Sequence, residues 1–250
     1  MIEKLETAKK AALEAGAKIL EIYGTDDFNI ELKGDDSPLT IADQKAHEII
    51  CQHLESTRIP ILSEEGKGIP FEQRKDWKEF WLVDPLDGTK EFIKRNGEFT
   101  VNIALIKNGQ PVMGVVYAPV LDWLYWGSEE GAFKQANNEI IEIQSENVDL
   151  KTPGLKVVAS RSHLNQETEE FLASLVEPEI VSMGSSLKFL LVAEGKAHIY
   201  PRYAPTMEWD TGAAHAVVRA AGGEVFKEPN RQPFQYNKEN LLNPHFIVLG

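Results

Sequence analysis

"EFWLVDPLDGTKEFI", residues 79–93, joins an apolar run directly to Asp84, Asp87, Gly88 and Thr89. The run FWLV predicts a buried strand, and the Asp-Pro and Asp-Gly pairs predict a sharp turn at its end. A plain solvated turn uses the same dipeptides. Two acids three residues apart around a turn can also face one centre, and oxygen-only ligands suit a hard cation such as Mg²⁺. The stretch therefore predicts either a surface turn or a rigid metal-binding site.

Three further acidic positions occur where predicted elements begin or end: Asp43 in TIAD, Glu64 in LSEEG and Asp210 in EWDTG. Structural readings exist as well, with Asp43 completing a capping box with Thr40 and Asp210 stabilising a helix N-terminus. A single acidic turn would mean little. Four such segments favour a shared metal site, and two divalent ions at such a site can clamp the attacking and leaving oxygens of a displacement at phosphorus.

Composition limits the classes of partner. Thirty-nine acidic residues against 26 basic ones give a formal charge of −13, which argues against a nucleic-acid footprint and requires any anionic ligand to be held locally. The only cysteine, Cys51, fits a reducing compartment. The first residues have neither a signal-peptide core nor a membrane span, so we expect a cytoplasmic location.

The N-terminal part of the chain predicts two helices followed by a sheet. Apolar residues recur at helical spacing over residues 3–23, and a second helix is expected from Thr40 to about Glu55. Short apolar runs predict a mostly antiparallel sheet over residues 80–145. Its clearest hairpin turns at Asn108-Gly109, because a tight turn needs residues that tolerate positive φ.

After KTPG at residues 151–154, predicted strands alternate with predicted helices. Such alternation indicates an α/β layer. The chain is therefore expected to comprise an α+β half with the antiparallel sheet and the metal-binding motifs (1–150) and an α/β half that completes the active site (151–250).

Together these motifs resemble a known family. Those that carry the resemblance are Glu64-Glu65, WLVDPLDGT (81–89) and EWDTGAAHAV (208–217). They are similar to the signature of the inositol monophosphatase superfamily of Mg²⁺-dependent, Li⁺-sensitive phosphatases. Two further stretches, 90–106 and 184–202, resemble the bacterial 3′(2′),5′-bisphosphate nucleotidases of CysQ type. The similarity covers nearly the whole chain and implies a layered αβαβα sandwich.

The resemblance also implies a role for individual residues. The implied metal ligands are Glu64, Asp84, Asp87, Asp210 and the backbone carbonyl of Leu86. The implied catalytic residues are Glu64 together with Asp43 and Thr89, the last two resembling the pair that positions the attacking water. The implied substrate contacts are Glu64, Leu86, Asp87, Gly88, Thr89, His163, Ser185, Lys188, Arg202 and Asp210. Taken without the family, Lys188 reads equally well as a solvated lysine, and His163 as an ordinary turn histidine.

One departure concerns the helix motif. Members of the family usually have Trp-Asp-x-Ala-Ala-Gly, whereas this chain has Trp209-Asp210-Thr211-Gly212-Ala213-Ala214. The glycine has moved two places toward the aspartate. Small residues are retained, so we expect the close approach of the helix to be preserved.

The activity implied by the resemblance is hydrolysis of the 3′-phosphate of adenosine 3′,5′-bisphosphate to AMP and phosphate. Water activated by two or three Mg²⁺ ions would attack in line. 3′-Phosphoadenosine 5′-phosphosulfate is a further implied substrate, within sulfur metabolism. The expected partner is a small nucleotide, with no nucleic acid and no obligatory protein; some relatives associate peripherally with the cytoplasmic face of the inner membrane. Two alternatives stay open: an inositol or sugar monophosphatase, and a non-catalytic, metal-dependent nucleotide sensor.

Overall fold

A computed structural model describes residues 1–24, 30–32, 38–66, 68–159 and 164–250. The helices are α1 (Ile2–Tyr23), α2 (Ile41–Glu55), α3 (Phe71–Arg74), α4 (Thr89–Ile93), α5 (Gln166–Ala173), α6 (Leu187–Ala193) and α7 (Glu208–Ala220). The strands are β1 (Ile30–Leu32), β2 (Pro38–Thr40), β3 (Ile61–Ser63), β4 (Glu79–Asp87), β5 (Thr100–Lys107), β6 (Gln110–Ala118), β7 (Trp123–Ser128), β8 (Gly131–Ala136), β9 (Glu139–Ile143), β10 (Lys156–Val158), β11 (Glu179–Val181), β12 (Ile199–Arg202), β13 (Glu224–Lys227), β14 (Gln232–Pro233) and β15 (Phe246–Leu249).

The larger sheet has seven strands in the order β3-β4-β5-β6-β7-β8-β9. Its β3–β4 pair is parallel, and every other pair is antiparallel. The predicted hairpin between β5 and β6 is confirmed, with Asn108 at φ 51° and Gly109 at φ 73°. These are the positive φ values that a two-residue hairpin turn requires.

Side-chain alternation gives this sheet two buried faces. On β5, Val101, Ile103 and Leu105 pack with α1 and α2. Ala104 and Ile106, which alternate with these residues, pack with α6 and α7 on the opposite face. Strands buried on both faces carry nearly continuous apolar sequence, as the run from residue 100 to 107 does.

A second sheet of six strands, in the order β11-β10-β12-β15-β13-β14, covers the far side of α6 and α7. Its β10 strand pairs in parallel with β11 and β12, whereas β15 is antiparallel to its neighbours. Helix α5 packs on the outer face of this sheet. The layers are therefore helices, sheet, helices, sheet and helix, and the predicted αβαβα sandwich is confirmed.

Glycines let α7 approach the seven-stranded sheet closely. A Cβ built on Gly114 of β6 would lie 2.1 Å from the backbone oxygen of Ala213. A Cβ on Gly212 would lie 2.8 Å from Leu82 Cδ2 and 3.3 Å from Ala104 Cβ. The backbone at Gly114 leaves no room for a Cβ, and a Cβ at Gly212 would require the Leu82 side chain to move. The shifted glycine of α7 is thus a contact point with β4, and the approach of the helix is preserved.

The sharp turn expected at residues 84–87 is not a turn. Strand β4 continues to Asp87, and its pairing with β5 passes from Asp84↔Asn102 to Asp87↔Thr100. Three steps on β4 therefore match two steps on β5, which is the signature of a β-bulge. The strand passes through Asp84-Pro85 because proline is tolerated at a bulge, and the chain leaves the strand only after Asp87, at Gly88 with φ 92°.

The two predicted halves share one core. Leu82 and Val116 from the first half lie in the same buried cluster as Leu190 and Val217 from the second. A division into two domains near residue 150 stays a prediction. Within the described ranges, none of the helices combines the length and the hydropathy that a membrane crossing requires.

Candidate active site

Three carboxylates from three elements converge at one point. Glu64 directly follows β3, Asp84 lies within β4, and Asp210 is in the first turn of α7. One oxygen from each lies within 4.8 Å of the others. The parallel pairing of β3 with β4 brings Glu64 beside Asp84, since the Glu64 N–H donates to the Val83 carbonyl at 3.1 Å. The predicted metal ligands Glu64, Asp84 and Asp210 are therefore neighbours.

Asp84 is the buried centre of this group, at 1% exposure. Its Oδ1 accepts a hydrogen bond of 3.1 Å from the N–H of Leu86, which places Leu86 in the bulge beside the carboxylate. Burial raises the pKa of Asp84 well above its ordinary value, and the charges of Glu64, Asp87 and Asp210 raise it further. A buried acid among like charges is ionised only when a cation compensates it.

Asp210 has both roles considered from the sequence. Its Oδ2 accepts a 2.9 Å hydrogen bond from the Met207 N–H, so it caps the start of α7. Burial raises the pKa of Asp210 to about 8, and the Asp87 charge adds to the effect. The capping interaction fixes the side chain that meets Glu64 and Asp84.

Asp87 is held by the segment that precedes α6. The Ser185 hydroxyl and the Ser186 N–H both donate to Asp87 Oδ2, the second at 2.7 Å. Burial raises the pKa of Asp87, while the Ser185 hydrogen bond and the Lys188 charge oppose that rise. The structure thus shows the Ser185 hydroxyl bonded to a carboxylate. The predicted contact of Ser185 with substrate stays a prediction.

The residues expected to orient water lie on two helix N-termini. Asp43 is in the first turn of α2, is 1% exposed, and contributes to the raised pKa of Asp84 through its charge. Thr89 is the first residue of α4, after Gly88 with φ 92°. The Thr40 side chain, the proposed capping partner of Asp43, lies outside the described residues. The pairing of Asp43 with Thr89 stays a prediction.

These carboxylates fit a divalent metal. Their donors are oxygen atoms, they come from rigid elements, and several are buried with mutually raised pKa values. Oxygen donors without sulfur or imidazole suit a hard cation such as Mg²⁺. Without a cation, burial and mutual repulsion would keep some of these carboxylic acids protonated, and the site would lose their negative charge.

A cavity of about 560 Å³ adjoins the carboxylates. Its lining includes the predicted residues Asp87, Gly88, Ser185, Lys188, Arg202 and Asp210. Lys188 Nζ donates to the Ser185 carbonyl at 3.1 Å, and Arg202 Nη2 donates to the Pro205 carbonyl at 3.3 Å. The cavity therefore brings the carboxylates of Asp87 and Asp210 together with two half-buried cations, Lys188 and Arg202. His163, a further predicted contact, lies outside the described residues.

Two groups of residues were missed by sequence reasoning. The exposed lysines Lys90 and Lys94 line the same cavity, and the motif KEFIK next to the acidic stretch was their available signal. Thr100 and Asn102 are buried polar residues behind Asp87. Their only signal was a polar residue at alternate positions of an otherwise apolar strand, TVNIALI.

Known proteins resemble this chain over its full length. The family model described as "Inositol monophosphatase family" matches residues 2–245. The 3′(2′),5′-bisphosphate nucleotidase CysQ of Salmonella typhimurium is 48% identical over 98% of both chains, and the same holds for that of Escherichia coli. The crystal structure of CysQ from Bacteroides thetaiotaomicron is 49% identical, with a TM-score of 0.85 over 99% of this chain and 97% of that one.

Proposed function

Because the chain belongs to the inositol monophosphatase family, we propose that it is a 3′(2′),5′-bisphosphate nucleotidase. Its substrate is adenosine 3′,5′-bisphosphate, and its products are AMP and phosphate. The observation that carries the proposal is the cavity in which Asp87 and Asp210 stand with Lys188 and Arg202. Such an enclosure suits a ligand with two phosphates, one at the carboxylates and one at the cations.

The carboxylates Glu64, Asp84, Asp87 and Asp210, with the Leu86 carbonyl, are proposed to hold two or three Mg²⁺ ions. Bound Mg²⁺ supplies electrostatic stabilisation of the charge that develops during displacement at phosphorus. The N-termini of α7 and α4 carry partial positive charge toward the same region. The protein itself therefore contributes a rigid frame for the anions.

We assign the positioning of the attacking water to Asp43 and Thr89. Asp43, buried at the start of α2, is proposed to orient the water together with the Thr89 hydroxyl and to receive its proton. The attacking oxygen forms a bond to phosphorus while the bond to the ribose 3′-oxygen breaks. The leaving oxygen takes up a proton from solvent water as AMP departs, and Asp43 returns its proton to solvent.

Recognition of the nucleotide is assigned to the basic residues Lys188 and Arg202. Lys188 and Arg202 are proposed to bind the 5′-phosphate, which is not cleaved because the metal ions would hold the 3′-phosphate. Burial lowers the pKa of Lys188, whereas the Asp87 charge raises it. A phosphate at this position favours the charged lysine for the same reason that Asp87 does.

The test is a substrate panel on the purified protein. Phosphate release is measured from adenosine 3′,5′-bisphosphate, inositol 1-phosphate and fructose 1,6-bisphosphate, with Mg²⁺, with EDTA, and with Mg²⁺ plus Li⁺. We expect the largest kcat/KM for the bisphosphate nucleotide, no release in EDTA, and inhibition by Li⁺. A larger kcat/KM for either of the other substrates contradicts the assignment, and no release from any of them favours a binding role.

A further inference from the structure

A ring of hydrogen bonds joins Asp87 to four buried or half-buried polar residues. Asn102 Nδ2 donates to Thr100 Oγ1 at 3.0 Å, and Thr100 Oγ1 lies 2.7 Å from Ser185 Oγ. The Ser186 hydroxyl donates to Asn102 Oδ1 at 2.8 Å. Ser185 and Ser186 both donate to Asp87 Oδ2, which closes the ring.

A further contact of 2.8 Å joins Thr100 Oγ1 to Ser186 Oγ across the ring. The Ser185 hydroxyl donates to Asp87, so in its contact with Thr100 the Ser185 oxygen is the acceptor. With the Asn102 amide donating to Thr100 and Ser186 donating to the Asn102 carbonyl, the ring has an arrangement in which successive donors point toward Asp87. In that arrangement each bond polarises the next, and the charged acceptor gains the most.

The ring also connects two parts of the fold. Thr100 and Asn102 are on β5 of the seven-stranded sheet, at 0% and 1% exposure. Ser185 and Ser186 belong to the segment between β11 and α6. Alternation along β5 directs residues 100 and 102 to the same face as Ala104, the face covered by α6 and α7.

The serine segment is fixed by its backbone as well. Ser185 has φ 51°, a left-handed conformation that few residues other than glycine adopt. The preceding Gly184 is packed so closely that an added Cβ would lie 2.9 Å from the Glu98 backbone oxygen. Such a segment keeps its conformation only while its surroundings hold it, and the ring is part of those surroundings.

The same segment also holds a cation of the cavity. Lys188 Nζ donates to the Ser185 carbonyl at 3.1 Å and lines the cavity beside Asp87. We infer that Thr100, Asn102 and Ser186 are positioning residues that couple cation binding at Asp87 to nucleotide binding at Lys188. The nucleotide part of this inference rests on the proposed function.

Matched threonine variants test the inference. Thr100→Val removes the hydroxyl from the ring at nearly constant shape, and Thr100→Ser restores it. Thr57→Val is the control, because the Thr57 hydroxyl accepts a 2.9 Å hydrogen bond from Trp81 Nε1 outside the ring. Ser186→Ala provides a second break in the ring that retains the backbone donor to Asp87.

Three dissociation constants are measured by calorimetry on each folded variant: that of Mg²⁺ alone, that of 3′-deoxyadenosine 5′-monophosphate without Mg²⁺, and that of the same nucleotide with Mg²⁺. This nucleotide lacks the 3′-oxygen, and the affinity of its 5′-phosphate for Mg²⁺ is measured without protein and subtracted, so that the remaining coupling reports on the protein. In the wild type we expect Mg²⁺ to tighten nucleotide binding about tenfold, within the usual range of coupling between sites. Thr100→Val and Ser186→Ala are expected to weaken Mg²⁺ binding by about 10-fold or more and to reduce the coupling below about twofold.

Thr100→Ser and Thr57→Val are expected to keep both wild-type values. The inference is overturned if Thr100→Val or Ser186→Ala retains wild-type Mg²⁺ affinity and coupling, or if Thr57→Val loses them to the same extent. Absence of coupling in the wild type also overturns it. A wild type that prefers inositol 1-phosphate, yet shows the expected loss of Mg²⁺ affinity in Thr100→Val, refutes the proposed function and not the positioning role.

Discussion

Asp84 and Asp87 face the same layer of the protein although they are three positions apart along one strand. Regular alternation would send them to opposite faces, since side chains on a strand have a period of two. The bulge opposite Asn102 and Thr100 adds one residue to β4, so that Asp84 and Asp87 return to the same face of the sheet. Both carboxylates thereby point toward α6 and α7, where Ser185 and Asp210 meet them.

Asp84→Asn is expected to abolish phosphatase activity while the metal-free protein becomes more stable. The amide keeps the Oδ1 acceptor for the Leu86 N–H, and it removes an ionisable group that burial and like charges disfavour. Loss of a direct ligand should exceed the 10–100-fold loss usual for supporting residues, so we expect more than about 100-fold in kcat. Asp87→Asn should likewise abolish turnover in a folded protein.

Phosphate release and thermal unfolding in EDTA check this prediction. Asp149→Asn, a substitution at an exposed acid, is the matched control and should change neither quantity. Wild-type turnover in Asp84→Asn or Asp87→Asn would exclude the assigned ligand role.

Without divalent metal, the stability of the protein should fall as the pH rises from about 4 to 8. Asp210 has a folded pKa of about 8, against about 3.9 in an unfolded chain. Within that window the folded state binds a proton that the unfolded state has lost, so the free energy of unfolding decreases with increasing pH. Asp84, whose pKa is also raised, contributes with the same sign.

Urea unfolding in EDTA at several pH values measures this slope. Asp210→Asn should flatten it, and Asp149→Asn should not. A slope in Asp210→Asn equal to that of the wild type would show that Asp210 does not carry the proton.

Gly114→Ala should destabilise the protein and weaken Mg²⁺ binding together. The added methyl group would meet the Ala213 backbone oxygen at 2.1 Å, so α7 must move and carry Asp210 with it. Overpacking of this kind costs about 1–3 kcal/mol. Chemical unfolding and Mg²⁺ titration measure the two effects.

Gly68→Ala serves as the control for this substitution, because no described atom lies within 4 Å of a Cβ at that position. Unchanged stability in Gly114→Ala would show that the close approach of α7 is not a constraint on the site.

Lys188→Ala should raise KM for adenosine 3′,5′-bisphosphate by about 10–100-fold, the equivalent of one hydrogen bond to a charged group. Its kcat should change little, because Lys188 is assigned to the phosphate that is not cleaved. Any hydrolysis of inositol 1-phosphate should be unaffected. Lys196→Ala, at an exposed lysine paired with Glu194, is the control; an unchanged KM in Lys188→Ala would remove the lysine from the nucleotide site.

Individual helices, the hairpin and the acidic motifs could be predicted from the sequence because they depend on local signals, whereas the layered sandwich was implied by the family resemblance. Hydrophobic periodicity over residues 3–23 and positive-φ residues at Asn108-Gly109 specify a helix and a hairpin regardless of what packs on them. The acids at positions 64, 84, 87 and 210 were visible as residue types in motifs. Their presence predicted a metal-binding chemistry.

Tertiary structure decided how those acids are used. The bulge depends on the register between β4 and β5, and the approach of Asp210 depends on how closely α7 packs against Gly114. Thr100 and Asn102 looked like polar interruptions in a strand until Ser185 and Ser186, more than eighty residues away, were brought against them. Residue types and local periods are properties of the chain, whereas strand register and hydrogen bonds between distant segments arise only when the two sheets and α6 and α7 pack into one core.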